Sequence, residues 1–403
     1  MKWPADRITG SSPKSFGMYE KAMEYVARGR DVIHLEVGRP DFDTPLHIKE
    51  AAKKALDDGI VHYGEFAGER KLRKAITSKV RALNNLEAAV DEVLVTNGLT
   101  HGAYAVFMAA LDDGDEVILL EPYYPQHINK IELAGGKVIT APLDRENGFR
   151  ITRAALESRI TERTRMICLV NPANPTGRVF SLEELTIVAE LAIEHDLLVV
   201  SDEVYEQITY DGHKHISIAS LPGMWDRTFS LFAYTKAFAM DGWRLGYAVC
   251  KKEFMPALQK ITVNDVAHVN VFIQEGAYAA LTGPQACLAE MLEEDSRRRG
   301  LICRRLNEMN GIVCAPPEGT IYAFPDISSF GKPSAQLAEE ILEETYVVTE
   351  AGSFYGRTGE GHLRMCFGAE SYDRIDEAMN RLEAYFHNPE RPADAVRRRK
   401  LRV

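Results

Sequence analysis

The chain has 403 residues, 45% apolar and 27% charged, which is an ordinary globular composition with room for a large core split into two domains. Its net charge of −11 argues against a general nucleic-acid binder. The six cysteines are scattered, with no C-x-x-C and no zinc-like spacing to histidine, so reduced thiols are expected; the start M-K-W-P-A-D-R lacks the apolar core of a signal peptide and no apolar run reaches membrane-spanning length, so a soluble cytoplasmic protein is expected.

Residues 1–16 are polar and rich in Gly, Ser and Pro, and read as an arm lying on a surface. Helical spacing over 18–28 leads to a short alternating strand over 32–37, and G-R-P-D-F-D-T-P (38–45) reads as a turn. Thr44 is expected to cap a helix that starts at Pro45 and runs to 58. A loop over 64–68 and a helix over 69–83 follow. From Asp91 the pattern alternates: strands over 92–96, 116–120, 137–141, 166–170, 197–201, 228–232 and 245–250, with helices over 98–111, 124–134 and 181–195. Ser181 with Glu184 forms a capping box. The strand over 197–201 is apolar throughout, as a strand covered on both faces is. This alternation predicts an α/β domain with a mostly parallel sheet.

Beyond Lys251 helices are expected over 274–281 and 285–309, the latter charged and connecting into a second, smaller α+β domain. That domain has strands over 311–325, 346–350 and 362–367 and helices over 334–344 and 372–386. The expected division is 46–290 for the large domain, 1–45 with 291–387 for the small one, and a basic, mobile tail over 388–403 ending R-R-R-K-L-R.

Ligands of open α/β sheets sit beyond the carboxyl ends of the strands. Four such ends carry chemistry. N-G-L-T-H-G (97–102) opens a helix whose free amides, with Thr100, suit a phosphate. E-P-Y-Y-P (121–125) offers an aromatic that can stack on a planar group, although packing alone also explains either tyrosine. N-P-A-N-P-T-G (171–177) is a rigid loop that presents an amide. D-E-V-Y (202–205) places an acid at the end of a buried strand, which is costly without a cation. The segment S-L-F-A-Y-T-K-A-F-A-M-D-G-W-R-L-G-Y (230–247) then sets Lys236 at a strand end with Arg244 nearby. An amine there can form a Schiff base with an aldehyde, and the guanidinium can hold a phosphate. Pyridoxal phosphate carries both groups.

These motifs, with P-D-F-D-T-P, Y-G-x-x-x-G, G-D-E-V and L-R-M-C-F-G, occur in an order that resembles the class I/II aminotransferases of the aspartate aminotransferase group, fold type I enzymes dependent on pyridoxal phosphate. The resemblance implies that Lys236 is the Schiff-base lysine and proton shuttle. It implies that Asp202 pairs with the ring nitrogen, that Asn174 and Tyr205 bond the ring's phenolic oxygen, and that Tyr124 stacks on the ring. Leu99, Thr100, Thr235 and Arg244 match phosphate partners, and Tyr63 matches a tyrosine that reaches the phosphate of a neighbouring subunit. Arg364 matches the arginine that grips the substrate α-carboxylate, with Gly38 and Asn174 beside it. A homodimer with shared sites is therefore expected, acting on amino acids and 2-oxo acids, with no nucleic acid, membrane or metal partner.

Several positions depart from the resemblance. Ala233 replaces a phosphate-side serine, with Tyr234 next to it, and Asp241 replaces a threonine near the lysine. No cation stands at Met108 or over 266–270, where His268 reads as a packed or surface histidine or as a partner-chain substrate contact, so strictly acidic substrates are not expected. The reading is amino transfer by a ping-pong cycle; the altered lysine segment keeps a lyase, cyclase or oxidase on the same scaffold as the alternative. A sensing regulator is disfavoured by the short arm before Val32.

Overall fold

Seven strands form one mixed sheet in the order Val93–Thr96, Gly246–Val249, Thr228–Ala233, Leu198–Asp202, Thr164–Val170, Glu116–Glu121, Lys137–Pro142. The strand Gly246–Val249 runs antiparallel to both neighbours, and every other pairing is parallel. The computed structural model describes residues 3–5, 8 and 17–387. Most of the expected surface arm over 1–16 and all of the basic tail over 388–403 lie outside the described residues.

The central strands Glu116–Glu121 and Leu198–Asp202 carry apolar runs, Val117–Leu120 and Leu198–Val200, and are buried except at half-buried Leu198, because helices cover both faces. Leu99–Ala110 and Leu182–Glu194 carry two of the crossovers. The second starts at the expected capping box: Ser181 Oγ accepts Glu184 N at 3.2 Å and Glu184 Oε2 accepts Ser181 N at 3.0 Å. Register pairs Val170 with Asp202 and Asp202 with Leu231, so three carboxyl ends finish at nearly the same level. That ledge is where the chemistry-bearing motifs begin.

A second sheet of three short antiparallel strands, Glu350–Ala351, Leu363–Cys366 and Tyr322–Ala323, packs with the helices Ala286–Glu308, Ser334–Thr345 and Tyr372–Phe386. Ile33–His34 pairs in parallel with Val347–Val348. Ile33, Leu35, Ile302, Leu342, Met365 and Met379 belong to one buried apolar cluster around these elements. No helix among the described residues is long and apolar enough to cross a membrane.

Five features differ from expectation. The strand over 32–37 contracts to Ile33–His34, and that over 311–325 contracts to Tyr322–Ala323, where Pro316 and Pro317 remove two ladder donors. The strand over 346–350 divides into Val347–Val348 and Glu350–Ala351. A helix at Met255–Asp265, absent from the sequence reading, follows the last strand of the large sheet. Thr44 does not cap the helix Leu46–Asp57. Its Oγ1 instead donates to Ala239 O at 2.5 Å and accepts Trp243 Nε1 at 3.1 Å, so a tertiary partner outcompetes the local one. The result ties the turn over 38–45 to the lysine segment.

Candidate active site

Beyond the carboxyl ends of the large sheet lies a cavity of about 360 Å³. Leu99 and Thr100, Tyr124, Asn174, and Asp202 with Tyr205 reach it from four strand ends, and Thr235, Lys236 and Arg244 from the lysine segment. Gly38, from the turn over 38–45, and Arg364, from the second sheet, close it. Of the residues to which the resemblance assigns a cofactor or substrate role, Tyr63 alone is not in its wall.

One end suits a phosphate. The amides of Leu99 and Thr100 open the helix Leu99–Ala110 and have no carbonyl one turn back to bond. Gly98, at φ +78, precedes them, and a Cβ there would lie 2.5 Å from Arg244 Nη2. Arg244 itself has φ +54, and its Nη1 donates to Asp241 O at 2.8 Å. The backbone carbonyl of Asp241 thus aims the guanidinium, which accounts for part of what that position does.

The middle suits a protonated heteroaromatic ring. Asp202 is 2% exposed, accepts Val204 N at 3.2 Å and bonds His127 Nε2 at 3.1 Å. Burial pushes the His127 pKa down, so the imidazole is neutral and donates to Asp202 without charging it. The carboxylate thus has hydrogen bonds but no directly bonded cation, which leaves a place for a protonated ring nitrogen. Behind it, Glu203 is fully buried, bonds His215 Nε2 at 2.7 Å and contacts Ser217 Oγ. Glu206 lies close to both Glu203 and His215, within reach of a shared metal ion, but Lys79 is already bonded to it and brings a cation. This layer holds the Asp202 strand end; Asn171, whose Nδ2 lies 3.4 Å from His215 Nδ1, donates its backbone N–H to Asp202 O at 2.9 Å.

At the far end Arg364 is 7% exposed. Its Cζ lies 4.5 Å from the centre of the Tyr322 ring and 5.1 Å from that of Tyr355. Nη1 donates to Asn174 Oδ1 at 3.4 Å, Nη2 donates to Glu36 O, and the buried Nε has no partner. A guanidinium held this way still has donor capacity for a carboxylate. The Tyr205 hydroxyl bonds that of Tyr322 at 2.7 Å. Tyr322 also explains Gly38, where a Cβ would fall 2.0 Å from the Tyr322 hydroxyl.

Lys236 lies between these ends. Its Nζ donates to Gly38 O and sits 5.9 Å from the Tyr205 ring centre. Burial lowers its pKa to about 8; Cys366 and Asp241 oppose that shift and Arg364 and Arg244 add to it. Lys130 is the other buried lysine with a pKa lowered by burial to about 8, but it bonds Gln126 O behind His127 and does not line the cavity.

Tyr63 is 90% exposed, its ring edge-on to His268 at 5.5 Å. Tyr234 turns away from the cavity and is 1% exposed, packed on Phe238 and Tyr247. Ala233 ends its strand, and half-buried Met108 lies outside the cavity wall. The sequence reading missed His127, Tyr322 and Tyr355. His127 had one signal, its place one turn beyond Tyr124 in a helix that starts at a strand end.

The model of the family "Aminotransferase class I and II" matches residues 30–382. The chain belongs to this family. It is 40% identical over 382 residues to an aspartate aminotransferase of Pyrococcus abyssi, covering 94% of this chain and 97% of that protein. It is 39% identical to aromatic-amino-acid aminotransferase 2 of Thermococcus litoralis, covering 87% and 91%. Among solved structures, the Thermus thermophilus aspartate aminotransferase with maleate superposes with a TM-score of 0.90 at 34% identity, covering 95% of this chain and 99% of that one. The aromatic aminotransferase of Pyrococcus horikoshii gives 0.86 at 38% identity, covering 94% and 100%. The chain is a pyridoxal-phosphate-dependent aminotransferase with an α/β fold of type I. The relatives' names give the lyase, cyclase and oxidase alternative no support.

The residues present fit that cofactor: a helix-start amide cradle beside Arg244, a buried acid without a directly bonded cation, and a lysine between them. Gly98→Ala tests the cradle. The added methyl is strained at this φ and displaces Arg244, so cofactor affinity is expected to fall about tenfold by equilibrium dialysis.

Proposed function

We propose that the enzyme moves the amino group of an α-amino acid to a 2-oxo acid in two half-reactions that share one cavity, with Lys236 as attachment point and proton carrier. The observation that carries this reading is the placement of Lys236 Nζ in one cavity with Asp202, Arg244 and Arg364. When bound, pyridoxal phosphate supplies an aldehyde carbon that captures amines and a protonated ring that takes up an electron pair from the substrate Cα.

The chain's own groups do the rest. The Leu99 and Thr100 amides, Thr235 and Arg244 would hold the phosphate; Asp202 would keep the ring nitrogen protonated; Asn174 and Tyr205 would hydrogen-bond the ring oxygen, and Tyr124 would pack on the ring. Arg364 takes the substrate α-carboxylate in its fork, which fixes the Cα–H bond toward Lys236. Lys236 Nζ would take up that proton and hand it back, a transfer suited to an amine whose pKa is lowered to about 8.

A pKa of about 8 makes a directional prediction. The amine is protonated below that value and free above it, and only the free amine attacks an aldehyde. Covalent capture of pyridoxal phosphate by the apoenzyme is therefore expected to accelerate as pH rises through about 8, not through the ordinary lysine range near 10.5. Stopped-flow absorbance between pH 6 and 11 (on the order of six points) checks it.

We further propose a homodimer in the cytoplasm, divided at residues 45/46 and 290/291 into large and small domains. Support for the dimer comes from Tyr63, 90% exposed beside the exposed Val61 and Phe66, an apolar surface on the loop that would reach a neighbour's site. Support for the division comes from the separate apolar clusters around the two sheets. The functional test is a single half-reaction. Holoenzyme given one amino acid and no acceptor is expected to form one 2-oxo acid per active site and stop, whereas continuing ammonia release contradicts amino transfer.

A further inference from the structure

Three guanidinium groups line the cavity: Arg39, Arg244 and Arg364. On the reading above, which this inference rests on and deepens, the cofactor phosphate takes Arg244 and the substrate α-carboxylate takes Arg364. Arg39 is left over. Its side chain is exposed, and it takes part in no hydrogen bond or ion pair among the described residues. Its backbone is nonetheless fixed: Arg39 N donates to Val37 O at 3.0 Å, and Arg39 O accepts Cys366 Sγ at 3.9 Å. Gly38, the preceding residue, holds Lys236 Nζ, and Cys366 lies two residues beyond Arg364 on the same strand. A cation whose backbone is held beside Gly38 and Cys366, in the wall that also carries Lys236 and Arg364, and whose head is uncommitted, is placed for a second negative group on the substrate.

Four acids line the same wall: Glu36, Asp202, Asp241 and Glu350. Glu350 accepts Met18 N at 3.1 Å, and burial raises its pKa, which favours the neutral form. Glu36 Oε1 bonds His34 Nδ1 at 2.8 Å, while Oε2 has no partner. Asp202 belongs to the ring nitrogen. Tyr19, Phe354 and Tyr355 supply apolar wall, so an uncharged side chain can also enter while Arg39 stays in water.

We propose that Arg39 selects dicarboxylic substrates, its guanidinium binding the distal carboxylate of an aspartate- or glutamate-sized amino or 2-oxo acid whose α-carboxylate lies on Arg364. The sequence offered no cation for that carboxylate at Met108 or over 266–270; Arg39 supplies one from a different wall.

The test compares wild type, Arg39→Leu and Arg39→Lys as holoenzymes, by calorimetric titration with maleate, a dicarboxylate with no amino group, and with 3-phenylpropionate, a monocarboxylate. Arg39→Leu is expected to weaken maleate binding at least about 20-fold and 3-phenylpropionate less than about threefold, with Arg39→Lys recovering part of the loss. The ratio of kcat/KM for aspartate to that for phenylalanine is expected to fall by a similar factor of about 20. Unchanged maleate affinity, or equal weakening of both ligands, overturns the proposal. So does a wild-type enzyme that prefers a diamino acid donor, which would assign the subsite to the unpartnered oxygen of Glu36. Maleate binding needs no chemistry, so the titration reads Arg39 even if amino transfer itself fails.

Discussion

Replacing Lys236 by alanine is expected to lower kcat by about 10⁴-fold, the upper range for loss of a positioned proton carrier. Folding should survive, because Nζ makes its one hydrogen bond to Gly38 O at the cavity wall and not within an apolar cluster. The cofactor should still bind, held by the helix-start amides at Leu99 and Thr100, by Arg244 and by Asp202, so gel-filtered protein retains absorbance from non-covalent cofactor. Small primary amines added to the variant should restore a fraction of the rate, since they can occupy the vacated volume and carry the proton. A fall of less than about tenfold would move the chemistry to another base.

Arg364→Leu is expected to reduce kcat/KM by about 10³-fold, because removing one partner of a buried charge pair costs roughly 2–5 kcal/mol and each 1.4 kcal/mol is a factor of ten. The loss should fall on both parameters. KM rises because the α-carboxylate loses its fork, and kcat falls because the Cα–H bond is no longer held toward Lys236. Arg364→Lys keeps the charge but not the planar fork between the Tyr322 and Tyr355 rings, and should recover only part of the loss. Steady-state kinetics with one donor at saturating acceptor separate the two effects. A variant within about fivefold of wild type would show that another group holds the carboxylate.

Much of this site was legible in the chain because its residues sit at strand ends. Each end is marked locally: a glycine before a helix at Gly98, two prolines around Asn174, an acid closing a buried apolar run at Asp202, and Lys236 after the strand Thr228–Ala233. The parallel sheet then brings those marks together, since Val170, Asp202 and Leu231 are in register. What the sequence did not carry is contact between distant segments. Tyr322 has no local signal, yet it meets Tyr205, Gly38 and Arg364 at once. Thr44 has every local feature of a cap and is diverted by Ala239 and Trp243. Arg39 reads as a turn residue until the fold sets it in the same wall as Arg364. The short strands of the second sheet were overextended in the reading because apolar alternation continues past the points where Pro317 or the left-handed Tyr346 breaks the ladder.

The most direct test of the account is where the cofactor is attached. Holoenzyme reduced with borohydride, digested and mapped by mass spectrometry is expected to carry the pyridoxyl group on Lys236 alone. A label on Lys130, the other buried lysine with a pKa lowered to about 8, or on no lysine at all, would contradict the assignment of the cavity and of every role built on it.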